Sequence, residues 1–120
     1  GDIYLMAAES AFFLGDQEKA AEYVDLLRVR ARKHPDALKV NAADISLDFI
    51  MDERARELGG EMLRWFDLKR THTLVDRVNK YNPDSKGITQ IFELRPIPQS
   101  EIDKVTNREQ FKQNPGYPTK

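Results

Sequence analysis

Glu57 and Glu61 are the two carboxylates whose spacing could support acid–base chemistry. On a helix they stand one turn apart, and paired carboxylates can divide the acid and base roles of glycoside hydrolysis. Arg54 and Arg64 flank them, and a neighbouring guanidinium keeps a carboxylate ionised rather than poised to give up a proton. The run from residue 53 to 70 carries nine charges in 18 residues, interleaved with large apolar side chains such as Trp65 and Phe66. On one continuous helix Arg54, Glu57, Glu61, Arg64 and Asp67 would form a single line, each three or four residues from the next. One reading is an ion-pair network that fixes how helices meet. The other is a polar binding or catalytic site. Charge beside Trp65 and Phe66 that becomes buried must be paired, and arginine's planar five-donor fork suits that task. The structural reading is favoured, because charge on a helix is normally structural or solvated.

Other chemistry finds little footing. His34 and His72 are the only histidines, and neither has a second ligand at a recognisable metal spacing. There is no cysteine, so disulfides, thiolate nucleophiles and thiolate metal sites are excluded from this segment. Gly59-Gly60 lacks the further glycines and the lysine of a phosphate cradle, and no Gly-x-Ser-x-Gly elbow occurs. No catalytic residue, metal or cofactor is therefore assigned. Trp65 continues an apolar stripe and is expected in the core. Tyr81, beside the Asn82-Pro83 turn, is the better candidate for an exposed ring that could stack on a sugar.

The elements that must position these residues read as helices. Residues 3 to 14 have Leu5, Ala8 and Phe12 at helical spacing, and Gly15 ends the run. Asp16 is a good cap for a second helix with a stripe of Ala20, Val24, Leu27 and Ala31, fading near His34-Pro35. The pair is a short-looped hairpin that resembles one tetratricopeptide-type unit, and a single unit cannot bury its face alone. After a loop over residues 35 to 43, Asp44 or Ser46 could cap a third helix. Its expected stripe is Leu47, Met51, Ala55, Leu58, Met62 and Trp65. Two glycines cost roughly 2 kcal/mol inside a helix, so a break is expected at Gly59-Gly60. Helices of about 62–70 and 74–78 follow. Residues 81 to 87 are a turn cluster, residues 88 to 94 the one plausible extended stretch, and residues 100 to 105 a short helix. Arg95-Pro96-Ile97-Pro98 must be extended. Residues 113 to 118 are a turn-rich end. The expected architecture is all-α, with a helical hairpin over 1–34, helices over 44–80, and a long irregular tail over 81–120.

Composition sets outer limits. The chain has 120 residues, 40% of them apolar and 32% charged, an ordinary globular balance. Nineteen basic and 20 acidic residues give a net charge of −1, so no basic field exists to attract nucleic acid or an anionic membrane. No stretch is long and apolar enough to span a bilayer. The chain opens inside a helical pattern and without methionine, so further sequence is expected upstream.

Several short motifs occur in series. They are Tyr4-Leu5-x-x-Ala8-Glu9, Leu14-Gly15-Asp16 and Arg28-x-Arg30-Ala31. Next come Glu53-Arg54-x-x-Glu57-Leu58, Glu61 and Arg64-Trp65-x-Asp67-Leu68-x-Arg70. Pro96-Ile97-Pro98-x-x-Glu101 and Gln113-Asn114-Pro115-Gly116-Tyr117 complete the series. Their order resembles the C-terminal region of the SusD/RagB family over nearly the whole chain. Met62 stands where many members carry glycine, and Gly59 where other residues are common. The resemblance implies a tetratricopeptide-like α-α superhelix and a non-catalytic protein. It implies lipid anchoring at the outer membrane of Bacteroidetes, through an anchor outside this segment. It implies capture of glycans or other nutrient oligomers and delivery to a TonB-dependent, SusC-like transporter. Glu53, Arg54, Glu57, Glu61, Arg64, Trp65, Asp67 and Arg70 are then a structural signature, and the ligand contacts lie elsewhere. The competing reading is a tetratricopeptide-type scaffold for a protein partner. Its one hairpin supports it, and the lack of a second repeat weighs against it.

Overall fold

A computed structural model describes residues 1–85, 87–107 and 109–118. Lys86 of the expected turn cluster, and Arg108, Thr119 and Lys120 of the expected tail, lie outside the described residues. The described residues form six α-helices and two 3-10 turns, with no strand. The chain is all-α, and it divides into two compact units, Gly1–Asp67 and Leu68–Lys120.

In the first unit α1 (Asp2–Phe13) and α2 (Gln17–Val29) form the expected hairpin. Its loop is closed by backbone bonds from Gly15 N–H to the Phe12 carbonyl (3.0 Å) and from Asp16 N–H to the Ala11 carbonyl (2.9 Å). That pattern needs a left-handed residue at position 15, and Gly15 supplies it at φ +82. Asp16 then caps α2 by accepting from Lys19 N–H at 2.9 Å. Leu5, Ala8 and Ala11 of α1 and Ala20, Ala21, Val24 and Leu27 of α2 are buried together. Alanines at this seam let the two backbones approach closely.

The α2 stripe stops earlier than its spacing implies. Ala31 lies beyond the helix and is exposed. Ala31 and Arg32 N–H turn to carbonyls three residues back, Arg28 and Val29, so the chain tightens and leaves the helix well before Pro35. Asp25 holds the returning loop through Val40 N–H (3.1 Å) and through an ion pair with Arg32. A 3-10 turn over Ala42–Asp44 follows, closed by Asp44 accepting from Asn41 N–H at 2.9 Å.

Ser46, one of the two expected caps, starts α3 (Leu47–Glu57) by accepting from Phe49 N–H at 3.1 Å. Ile50 and Met51 are fully buried and Leu58 nearly so, completing the core with Val40 and Ile45. The helix ends at the glycine pair as expected. Gly60 takes φ +88, and Met62 follows in the left-handed region at φ +61. Because of that break the expected stripe is only partly realised. Ala55 is exposed, Met62 is 88% exposed, and Trp65 is 37% exposed rather than in the core. α4 covers Arg64–Arg70.

In the second unit α5 (Leu74–Tyr81) runs one turn longer than expected, with Leu74 and Arg77 buried. Residues 88 to 94 are not extended throughout: Thr89 and Leu94 keep extended backbones on either side of a turn. A 3-10 turn occupies Gln90–Glu93, and α6 (Gln99–Lys104) follows the extended Arg95-Pro96-Ile97-Pro98 segment.

Candidate functional site: the ion-pair network and the tail clamp

The acidic and basic residues of α3 do not form one line, because the helix stops at Glu57. Glu53, Arg54 and Glu57 instead find partners on or beside other helices of the first unit. Glu53, buried on α3, accepts from Arg28 of α2 through Nε (2.7 Å) and Nη2 (2.6 Å). The same carboxylate accepts from Arg56 through Nε (3.1 Å) and Nη2 (2.6 Å). Burial alone would push the Glu53 carboxyl up. The bonds from Arg28 and then Arg56 outweigh it and hold the carboxyl below its ordinary value. The Arg28 guanidinium is held above its ordinary range, chiefly by the bond to Glu53 and against its own burial. Glu57 pairs with Arg30, which lies just past α2.

Arg54 is the most enclosed member. Its Nε donates to Asp67 Oδ2 at 2.7 Å, across the glycine break, and its Nη2 donates to Asp2 Oδ1 of α1 at 2.8 Å. Arg54 Nη1 is buried without an acceptor among the described residues. Arg64, at the start of α4, donates from Nη1 to the Met51 carbonyl at 2.8 Å. These contacts link α1, α2, α3 and the first turns of α4. Five of the eight signature residues, Glu53, Arg54, Glu57, Arg64 and Asp67, enter them directly. Trp65 is partly exposed, Arg70 is exposed, and Glu61 is exposed outside any helix.

The arrangement can do little acid–base chemistry. Glu57 is held by Arg30, while Glu61 lies past the helix end, so the two do not share the one-turn geometry of a continuous helix. A shallow cleft of about 220 Å³ runs beside the network, bordered by Leu27, Leu38, Arg28, Arg56, Glu53 and Glu57. Its acids are already engaged by its arginines. Among the described residues, no group of three or more histidine, aspartate or glutamate side chains could hold a metal ion. No described helix is long and apolar enough to cross a membrane. Tyr81 is 55% exposed, with the Arg77 guanidinium and the Lys80 ammonium 5.6 and 4.9 Å from its ring centre. His34 is exposed. His72 stands at φ +54, and its Nδ1 lies 3.1 Å from Glu93 Oε2.

Sequence reasoning missed two things. It did not pair Arg28, Arg30 and Asp2 with their partners, although Arg28 and Arg30, at the end of α2 and just past it, run in the same order as Glu53 and Glu57 of α3. It also left the C-terminal motif as a plain turn. In the structure that motif is a clamp. Gln113 donates from Nε2 to the Ile97 carbonyl (2.9 Å) and accepts from Ile97 N–H (2.7 Å). Asn114 Nδ2 donates to the Arg95 carbonyl at 2.7 Å. Tyr117 hydroxyl reaches the Leu94 and Ile91 carbonyls at 2.8 and 3.1 Å. Gly116, at φ +87, lies so close to Ile91 that an added Cβ would stand 2.7 Å from its Cδ1. The proline-broken segment cannot satisfy its own backbone, and the tail side chains do so instead. Three amide and hydroxyl side chains within five residues were the available signal.

The chain is all-α, with a tetratricopeptide-like hairpin tied to the following helices by buried arginine–carboxylate pairs. The model of the SusD family matches residues 1–117. A SusD-like protein of Formosa agariphila is 35% identical over 103 residues, which cover 80% of this chain and 20% of that protein. No solved structure matches. The chain belongs to the SusD family, and it spans about a fifth of the length of that curated relative.

Proposed function

We propose that this chain is the C-terminal region of a cell-surface capture protein. That protein binds glycans or other nutrient oligomers and hands them, unaltered, to a TonB-dependent, SusC-like transporter. A lipid anchor outside this segment holds it at the outer membrane. Family membership over residues 1–117 is the observation that carries this reading. The state of the carboxylates supports the absence of catalysis: Glu53 is gripped by two guanidinium groups and Glu57 by a third. The two guanidinium groups hold the Glu53 carboxyl below its ordinary value, so that acid stays ionised and gives no proton to a leaving group. The signature residues from Glu53 to Arg70 then serve as structure. Tyr81 is retained as the one weak candidate here for ligand contact.

The test is a glycan-array and calorimetric screen of the full-length protein, with the products examined by mass spectrometry. Saturable binding with intact glycan supports the reading. Sugar release that disappears in Glu57→Gln or Glu61→Gln contradicts it. Co-purification of a TonB-dependent transporter from the native membrane tests the delivery step.

A further inference from the structure

The second unit holds a contact that neither of its partners sustains unaided. His72 Nδ1 and Glu93 Oε2 are 3.1 Å apart, with the Glu93 side chain 16% exposed and the His72 side chain 81% exposed. His72 sits at φ +54, a backbone region that costs a β-carbon residue energy. Glu93 Oε1 is buried without a hydrogen-bond partner among the described residues, which costs more. A histidine–carboxylate pair open to water returns less than these two costs together. Something else must keep Glu93 turned inward.

The tail supplies it. Glu93 lies in the Gln90–Glu93 turn, whose own backbone bonds are Phe92 N–H to the Thr89 carbonyl and Leu94 N–H to the Ile91 carbonyl. The Tyr117 hydroxyl spans the end of this turn, sharing its one proton between the carbonyls of Ile91 and Leu94 on either side of Glu93. Gln113 and Asn114 fix the chain just beyond, at Arg95 and Ile97. Every one of these tail bonds reads main-chain groups, so docking depends on the tail's side chains and on the backbone shape of residues 91 to 97.

We infer that residues 113 to 117 are a latch: docked, they hold Glu93 inward on His72; released, they free both side chains. The device joins the C-terminal tail to the turn between α4 and α5.

The experiment uses the full-length protein with Tyr117→Phe and Gly116→Ala. Tyr117→Phe removes the shared proton and keeps the ring. Gly116→Ala drives a Cβ into Ile91. Backbone hydrogen exchange at Leu94 and Ile97 reports the latch, and exchange of the His72 ring C2 proton, read by mass spectrometry, reports the Glu93 contact. Glu93→Ala gives the His72 rate without its partner. Both variants should raise exchange at residues 94 and 97 by about tenfold, the worth of one hydrogen bond. Both should also move the His72 rate to that of Glu93→Ala. A released tail with an unchanged His72 rate overturns the latch. So does unchanged exchange at both places, or a His72 rate that Glu93→Ala leaves at the wild-type value.

Discussion

Arg54 and Asp67 meet across the glycine break, with Nε and Oδ2 2.7 Å apart and side chains 4% and 6% exposed. One belongs to α3 and the other to α4, so this ion pair holds the two helices where the backbone between them turns. Arg54 also bonds Asp2 of α1. A single guanidinium thus ties three helices, and a buried charge of this kind is costly to strand.

Arg54→Ala should destabilise the chain by about 3–5 kcal/mol, since it removes one member of a buried ion pair. Arg54→Lys should recover only part of that, because one ammonium cannot span two carboxylates as the fork does. Urea denaturation measures both. A loss for Arg54→Ala below about 1 kcal/mol would mean that the pair is no more than a surface contact.

Glu53 makes stability depend on acid. Its carboxyl titrates lower in the folded chain than its ordinary value of 4.5. As pH falls the unfolded chain therefore takes up this proton first. The contribution is complete above about pH 5 and is lost as pH drops through the unfolded value towards the folded one. Melting temperature against pH should fall less steeply in Glu53→Gln below pH 4.5, and Glu53→Gln should cost roughly 1–3 kcal/mol at neutral pH. Parallel slopes in the two proteins would remove Glu53 from the acid response.

Met62 holds a left-handed φ of +61 while 88% of it faces solvent, so its side chain gains little in return for the backbone strain. Met62→Gly should stabilise the protein by about 0.5–1 kcal/mol, with relief of strain exceeding the added freedom of the unfolded chain. Thermal melting decides it: a lowered melting temperature would show that the Met62 side chain holds something in place.

Ser46 is the sole side-chain cap of α3. Ser46→Ala should cost about 1 kcal/mol, and Ser46→Asp should cost almost nothing, since aspartate caps equally well. Equal losses for the two substitutions would show that the hydroxyl matters for another reason.

The local punctuation was readable because single residues dictate it. Gly15, Asp16 and Ser46 each act within three residues, and so did the glycine pair that stops α3. The long-range part was not. On one continuous helix Arg54, Glu57, Glu61, Arg64 and Asp67 would share a line; the break at Gly59-Gly60 lets Arg54 reach Asp67 and Asp2, sends Glu57 to Arg30 and Arg64 to the Met51 carbonyl, and leaves Glu61 exposed. Trp65 left the core for the same reason: its periodicity counted through a helix that had ended. Residues 88 to 94 looked extended from their apolar content. Residues 90 to 93 turn instead, and the Tyr117 hydroxyl, 26 residues from Ile91, donates to carbonyls in that turn and just past it. No window of local sequence contains both ends of that contact.

We propose that the charged stretch builds a scaffold and performs no chemistry on the nutrient that the full-length protein is proposed to bind. Calorimetric titration of one bound oligosaccharide, into full-length wild type and into the Glu57→Gln/Glu61→Gln double variant, addresses it most directly. Equal affinities, with the oligosaccharide recovered whole from both, are the predicted result. A tenfold loss of affinity in the variant, or shorter sugars formed only by the wild type, would place those acids in a working site and contradict the account.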